Sequence, residues 1–155
     1  MDLAGKVALV LGAIKGIGKG ISLALVEQNF SALHVKPIQQ TITNFIVGRH
    51  LDALGTFDFV YAAGLYDYLP QAHAQKLTQC MFSLLRPQGQ LLVANFLPDI
   101  HDVGYMETYM AWNLIYRTRQ EIQDVAVLIP DHEIHAEHTF IEDNRNIVFL
   151  EICKK

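Results

Sequence analysis

Short apolar runs alternate with stretches of helical periodicity along most of this chain, and this alternation constrains its fold more than any other feature. Four runs rich in aliphatic residues are each closed by glycine or proline, and they cover 6–11, 31–35, 57–63 and 90–96. Between them, apolar residues recur every three or four positions over 17–28, 38–47 and 71–85. Strands that alternate with helices form parallel βαβ units, and unbroken apolar strands are typical of a sheet buried on both faces. The sequence therefore predicts an α/β fold with a mostly parallel sheet and helices on both faces.

The C-terminal third follows a different pattern. Helical periodicity over 106–116 and 119–128 predicts two helices, and the apolar runs 138–141 and 147–152 predict two strands. Between these strands, Asp143-Asn-Arg-Asn146 is composed of residues that favour tight turns. We therefore expect an antiparallel hairpin at the edge of the sheet, and a second turn at Arg86-Pro-Gln-Gly89.

Composition suits one compact unit. The chain has 155 residues, of which 51% are hydrophobic and 18% are charged, so it carries less charge than the roughly 25% of an average globular chain. A single domain over 1–155 is expected from this length. The low charge also predicts that part of the surface is buried against a second subunit, as in a homodimer, including one that exchanges segments between its chains.

Charge and hydropathy exclude several classes of partner. The net charge is −4 and no run of lysine or arginine occurs, so we expect no nucleic-acid partner. No apolar run approaches the roughly 18 residues that a membrane span needs. The apolar stretch 7–11 is also too short for the core of a signal peptide. Both cysteines, Cys80 and Cys153, lie in apolar segments, so we expect reduced thiols. Together with the lack of a membrane span and of a signal peptide, this predicts a cytoplasmic protein. We expect its ligand to be a small molecule.

The opening segment resembles one known family. Gly5-Lys-Val-Ala-Leu-Val-Leu-Gly12-Ala-Ile-Lys-Gly16-Ile-Gly18 is similar to the strand, glycine turn and helix that begin short-chain dehydrogenases/reductases. Glycines at such a turn let the backbone approach a diphosphate, which the N-terminus of the helix then binds. The resemblance implies NAD(P) binding through Gly12, Gly16 and Gly18. The family's catalytic Tyr-x-x-x-Lys pair has no counterpart, because none of the six tyrosines has a lysine four positions later.

The rest of the chain resembles a second family. The segment 57–69 is similar to the fourth-strand region of class I S-adenosylmethionine-dependent methyltransferases, which borders their cofactor. Leu84-Leu-Arg-Pro-Gln-Gly-Gln90 resembles the turn before their fifth strand, with Gln88 in place of a glycine, and 112–118 is similar to the region of their late helices. The hairpin matches their antiparallel sixth and seventh strands. The resemblance implies a Rossmann-like sheet of the methyltransferase kind and S-adenosylmethionine as the cofactor.

The two resemblances meet near residue 28, and neither family's full set of binding residues is present. Methyltransferases carry acidic residues after their first and second strands, whereas the corresponding positions here, 9–11 and 34–36, have none. The chain also lacks one βα unit of that family. It is therefore interpreted as a chimera, dehydrogenase-like over 1–28 and methyltransferase-like over 29–155. Natural recombination, a damaged reading frame and engineering would each produce this join.

Three functions remain open at this point. The first is a methyltransferase-like domain, truncated and inactive or still able to bind S-adenosylmethionine. The second is a non-catalytic fold without a native ligand, and the third is an NAD(P)-binding dehydrogenase-like domain. Ligands of such sheets bind at the C-terminal ends of the strands. The cofactor-binding candidates at those ends are Gly12, Gly16, Gly18, Gly64, Tyr66, Asp67, Tyr68 and Asn95.

No catalytic residue is identified, and no metal site is expected. Asp131-His-Glu-Ile-His-Ala-Glu-His138 contains three histidines but lacks the spacing of the His-Glu-x-x-His zinc motif. On a strand, His132 and His135 would point to opposite faces of the sheet. We interpret this segment as a solvated approach to the hairpin.

Overall fold

The structure is a computed structural model that describes residues 6–12, 41–49, 51, 53–101 and 103–155. Its centre is a five-stranded sheet with the order β1-β2-β3-β5-β4. The first three strands run parallel, and β5 is antiparallel to both of its neighbours. The strands are β1 (Ala8–Leu11), β2 (Phe57–Ala62), β3 (Leu85–Phe96), β4 (Ile134–Ile141) and β5 (Ile147–Lys154). The predicted α/β fold class and the C-terminal hairpin are therefore confirmed.

Four α-helices lie between these strands in the described ranges: α1 (Ile42–Ile46), α2 (Gln71–Ser83), α3 (Val103–Tyr109) and α4 (Arg119–Gln123). Three 3-10 turns cover Tyr66–Tyr68, Asp124–Ala126 and Asp131–Glu133. Among the described helices, none is both long and apolar enough to span a membrane.

The sheet divides the apolar side chains between two faces. On the first face, strand residues such as Val60, Leu91 and Leu150 are fully buried and belong to one cluster with Leu77 of α2 and Ile122 of α4. The second face carries a smaller cluster built on Tyr61, Ala63 and Ala94, with Phe59, Leu92, Ile147 and Phe149 against it. Successive residues of a strand alternate between these faces, as the period of two requires.

The predicted helix over 106–116 is wrong in its second half. The helix α3 ends at Tyr109, and 111–118 is an irregular segment that runs along the sheet. In this segment the backbone N–H of Ile115 donates to the carbonyl of Asp67 at 2.7 Å. The N–H of Arg117 donates to the carbonyl of Phe96 at 2.9 Å. These long-range hydrogen bonds replace the local ones of a helix, so tertiary contacts override the apolar periodicity.

Other boundaries also differ from the sequence-based expectation. The strand expected over 138–141 begins at Ile134, so the interpretation of Asp131–His138 as a solvated approach to the hairpin is wrong from Ile134 onward, where the backbone pairs with β5. The helix expected over 119–128 is α-helical only to Gln123 and continues as a 3-10 turn to Ala126. The expected turn at 86–89 lies inside β3, where the pairing with β2 jumps from Phe57 opposite Leu85 to Phe59 opposite Gln90. The extra residues of β3 form a bulge, so the chain bends at this point while the strand continues.

Part of the sequence interpretation lies outside the described residues. This holds for the predicted strand at 31–35, for the helix expected over 17–28, and for Gly16 and Gly18. Of the helix expected over 38–47, the described part forms α1, with the side chain of Thr41 accepting a hydrogen bond from the N–H of Asn44. The interpretation of the join near residue 28 and the division into two segments stay predictions.

Candidate functional site

The C-terminal ends of β1 and β2 form an open edge of backbone. The two strands pair in parallel with Leu11 opposite Ala62, so Gly12 and Gly64 follow neighbouring strand ends. Both glycines have positive φ, +77° at Gly12 and +66° at Gly64, and both are exposed. A Cβ at Gly64 would meet no atom within 4 Å, and one at Gly12 would lie 3.5 Å from the carbonyl oxygen of Ala63. The absence of side chains thus leaves this edge accessible to a ligand.

Tyr66 supports the following turn from inside the core. Its side chain is fully buried, and its hydroxyl oxygen lies 2.8 Å from Oγ1 of Thr78. Burial raises the pKa of Tyr66 above its usual value, so the phenol stays neutral. The hydroxyl is therefore not open to a ligand from solvent, although its sequence position marks Tyr66 as a cofactor-binding candidate.

Asp67 is a buried acid at the end of the sheet. It is 2% exposed, and its Oδ1 accepts a hydrogen bond from the backbone N–H of Phe96 at 2.8 Å. No other residue in the described ranges donates a hydrogen bond to its Oδ2. Burial raises the pKa of the Asp67 carboxyl above its ordinary value. Asp67 is thus a buried carboxyl group that the backbone at the end of β3 holds in place.

Tyr68 and Asn95 differ in accessibility. Tyr68 is 52% exposed, and its hydroxyl accepts a hydrogen bond from the indole Nε1 of Trp112. Asn95 is 1% exposed and its Nδ2 donates at 2.9 Å to the carbonyls of Phe96 and Ile115. Tyr68 can therefore contact a ligand through its ring, whereas the amide of Asn95 is engaged in fixing the segment around Ile115.

Arg117 holds this region together, and sequence analysis did not identify it. It is 1% exposed and donates to the carbonyls of Tyr66 at 2.7 Å and Leu69 at 2.5 Å, to Oδ1 of Asn95 at 2.5 Å and to Oε1 of Gln71 at 2.9 Å. Within the part of the chain that the structure describes, no carboxylate oxygen lies within 4.0 Å of the Arg117 guanidinium, so Arg117 forms no ion pair there. The available signal was an arginine that follows the apolar run 114–116 and directly precedes the Thr118–Glu121 capping box.

A cavity of about 350 Å³ opens beside this edge on the second face of the sheet. Its apolar lining includes Tyr61, Ala94 and Phe149, and its acidic lining residues are Asp67 and Glu142. Gly64 borders the same cavity, so the cavity and the open backbone edge are continuous. The volume lies within the range of roughly 300–1,000 Å³ that small-molecule sites occupy.

Other candidate groups show no activated chemistry. No cluster of three or more potential metal ligands occurs among the described residues, which include Asp131–His138. Burial raises the pKa of the Cys80 and Cys153 thiols. A raised thiol pKa disfavours the thiolate, which is the reactive form.

Comparisons with known proteins identify the fold. No protein-family model and no curated protein sequence matches the chain. A possible exported protein from Bordetella parapertussis has a TM-score of 0.61 at 16% identity, over 90% of this chain and 51% of that one. An O-methyltransferase family protein from Burkholderia thailandensis has a TM-score of 0.61 at 14% identity, over 89% of this chain and 41% of that one.

A third structure extends the likeness to a protein with a bound ligand. Magnesium protoporphyrin IX methyltransferase from Synechocystis PCC 6803, solved with bound SAH, has a TM-score of 0.52 at 12% identity, over 86% of this chain and 57% of that one. At these identities the likeness shows the fold, which is that of methyltransferases. The chain spans about half of the length of the first of these proteins and less than half of the second.

Proposed function

We propose that this chain is a methyltransferase-type domain that binds S-adenosylmethionine at the C-terminal edge of β1 and β2. The observation that carries the proposal is the strand order, in which antiparallel β5 lies between β3 and β4 at the end of a parallel sheet. The resemblance of the closing hairpin to the sixth and seventh strands of methyltransferases implies this arrangement, and the structures with the same fold include methyltransferases.

The described residues fit such a ligand. Gly12 and Gly64 leave the backbone of two neighbouring strand ends uncovered, and Tyr68, four residues after Gly64, is exposed. Gly16 and Gly18, which lie outside the described residues, belong to the same proposed site. When bound, S-adenosylmethionine supplies an activated methyl group, and the contribution of the chain is to hold the two reactants in position.

The test is a calorimetric titration of the purified chain with S-adenosylhomocysteine. We expect saturable binding with one ligand per chain. A parallel titration with NADPH addresses the dehydrogenase-like alternative, which requires the nicotinamide dinucleotide to bind instead. If a folded sample binds neither ligand at millimolar concentration, the proposed function is wrong and the alternative of a fold without a native ligand stands.

Two matched glycine variants locate the binding edge. Gly64→Leu places a side chain on the edge, whereas Gly55→Leu makes the same change before the opposite end of β2. Both glycines have positive φ, +66° and +78°, and a Cβ at either would meet nothing within 4 Å. Each variant should therefore lose a similar stability of about 1–2 kcal/mol from the left-handed backbone. Only Gly64→Leu should weaken S-adenosylhomocysteine, by tenfold or more, and equal affinities in both variants would place the site elsewhere.

A further inference from the structure

The cavity on the second face of the sheet has a polar end and an aromatic body. Its floor is formed by side chains that project from neighbouring strands, Tyr61 of β2, Ala94 of β3 and Phe149 of β5. In the pairing of β3 with β5, Ala94 lies directly opposite Phe149. The small side chain of Ala94 therefore leaves room between two aromatic residues. A volume of about 350 Å³ accommodates a molecule of roughly ten non-hydrogen atoms, given that one water occupies about 30 Å³ of liquid.

Two acidic residues, Asp67 and Glu142, line this cavity. Asp67 is 98% buried, with Oδ1 bonded to the N–H of Phe96 and Oδ2 without a donor from another described residue. Glu142 lies at the rim, half-buried, and its carboxylate forms no ion pair within the described part of the chain. A buried carboxyl oxygen without a donor is costly unless a ligand or water supplies one.

Arg117 acts on Asp67 without forming an ion pair with it. Four donor contacts of Arg117 go to carbonyl and amide oxygens of Tyr66, Leu69, Asn95 and Gln71. Its guanidinium does not come within 4.0 Å of a carboxylate oxygen of any described residue. Among the described residues, no cation therefore makes a direct contact with either acid, and Arg117 acts on the Asp67 carboxyl only from a distance.

We propose that this cavity binds a small apolar amine, with its aromatic or aliphatic body over the floor and its ammonium group against Asp67. An ammonium group donates to Oδ2, and the faces of Tyr61 and Phe149 attract both apolar and cationic groups. If the bound amine is also the acceptor of the methyl group, that part of the assignment rests on the proposed function. As a binding site, it depends on β2, β3, β5 and the two turns that carry Asp67 and Glu142.

Three ligands of similar shape test the assignment without any methyl donor present. The affinities of 2-phenylethylamine, 2-phenylethanol and phenylacetate for the wild-type chain are measured by calorimetry and by saturation-transfer NMR. We expect the amine to bind at least tenfold more tightly than the alcohol, and the carboxylate to bind least. Equal affinity for all three ligands, or preference for the carboxylate, would overturn the proposal.

Asp67→Asn removes the charge and keeps an oxygen that can accept from the N–H of Phe96. Asp131→Asn, an exposed residue outside the cavity, makes the same change in net charge and serves as the control. Asp67→Asn should lower amine affinity at least tenfold and leave alcohol affinity unchanged, whereas the control should change neither. If Asp67→Asn does not fold, Glu142→Gln replaces it and should weaken the amine alone. An unchanged amine affinity in the folded cavity variant contradicts the proposal.

The outcomes separate this inference from the proposed function. Amine binding without S-adenosylhomocysteine binding would keep the cavity site and reject the methyltransferase proposal. S-adenosylhomocysteine binding without amine preference would keep the methyltransferase proposal and reject the amine as the ligand of this cavity.

Discussion

At the scale of single residues, Asp58 and Asp67 place the same functional group in opposite environments. Asp58 accepts a backbone hydrogen bond from Val7 at 2.8 Å and an ion pair from Arg86 at 2.8 Å, which together lower its pKa. Asp67 is buried with one hydrogen bond from Phe96, and burial raises its pKa. A shifted pKa links stability to pH, so the two carboxyls should contribute with opposite signs.

Replacing each acid by asparagine tests this difference. The pKa of Asp67 is higher in the folded chain than in the unfolded chain. Its contribution to folding stability is therefore complete below the unfolded pKa of about 3.9 and is lost as pH rises through the folded pKa. Asp67→Asn should therefore gain stability relative to wild type between pH 4 and pH 8. The pKa of Asp58 is lower in the folded chain than in the unfolded chain. Its contribution to folding stability is therefore complete above the unfolded pKa of about 3.9 and is lost as pH falls through the folded pKa. Asp58→Asn should be less stable than wild type at pH 7 and nearly equal to it at pH 3.

The measurement is the melting temperature of each chain at several pH values from 3 to 8. Relative to wild type, the melting temperature of Asp67→Asn should rise with increasing pH. The melting temperature of Asp58→Asn relative to wild type should fall over the same range. Parallel curves for the two variants would show that the environments of these carboxyls are not as described.

At the scale of elements, the bulge in β3 requires a left-handed backbone at one residue and leaves no space for a side chain at the next. Gln88 has φ of +63°, a conformation that glycine adopts readily and other residues do not. Gly89 is crowded, since a Cβ there would lie 2.9 Å from the carbonyl oxygen of Arg86 and 3.2 Å from that of Phe57. The methyltransferase-like turn has glycine at both positions, so glutamine at the first is a local departure with a structural cost.

Substitutions at these positions should act in opposite directions. Gln88→Gly should stabilise the chain by up to about 1 kcal/mol, because it relieves a left-handed backbone. Gly89→Ala should destabilise it by about 1–3 kcal/mol, because the added methyl group has no space. Gln90→Gly is the matched control, since its φ is not positive and glycine there weakens a strand by roughly 0.5–1 kcal/mol. Urea unfolding measures all three, and a loss of stability in Gln88→Gly would contradict this reading of the bulge.

The sequence predicted those elements whose signals are local. Val60 and Leu91 belong to apolar runs whose strand form follows from neighbouring residues alone, and the turn at Asp143–Asn146 fixes the hairpin. The segment 111–118 could not be predicted in the same way. Its backbone conformation depends on hydrogen bonds from Ile115 to Asp67 and from Arg117 to Phe96, and no local pattern records those partners.

At the scale of the whole molecule, the same limit applies to the site. The strand ends placed Gly64, Asp67 and Asn95 near one another, because parallel strands end at a common edge. Arg117 was not expected there, since its acceptors lie 22 to 51 positions earlier in the chain. The cavity also could not be predicted, because it depends on Ala94 lying opposite Phe149 across an antiparallel pair. The expected homodimer and cytoplasmic location stay predictions.

Arg117 joins three separate segments of the chain through one side chain. Its hydrogen bonds reach the turn after β2, the first residue of α2 and the end of β3. Replacing it by methionine keeps an apolar side chain of comparable length but leaves several buried oxygens without a donor. Each unsatisfied acceptor costs about 1–3 kcal/mol, so Arg117→Met should lower the free energy of unfolding by roughly 3 kcal/mol or more.

Arg119→Met is the matched control, because Arg119 lies two positions later and is exposed at the start of α4. We expect its free energy of unfolding to stay within about 0.5 kcal/mol of wild type, as for most surface substitutions. Urea unfolding at low temperature compares the two, and Arg117→Lys, which retains the charge but not the fork of donors, should fall between them. If Arg117→Met and Arg119→Met unfold alike, the buried guanidinium contributes no net stability, and the turn that carries Asp67 must be held by the packing of Tyr66 and the backbone bonds of Ile115 instead.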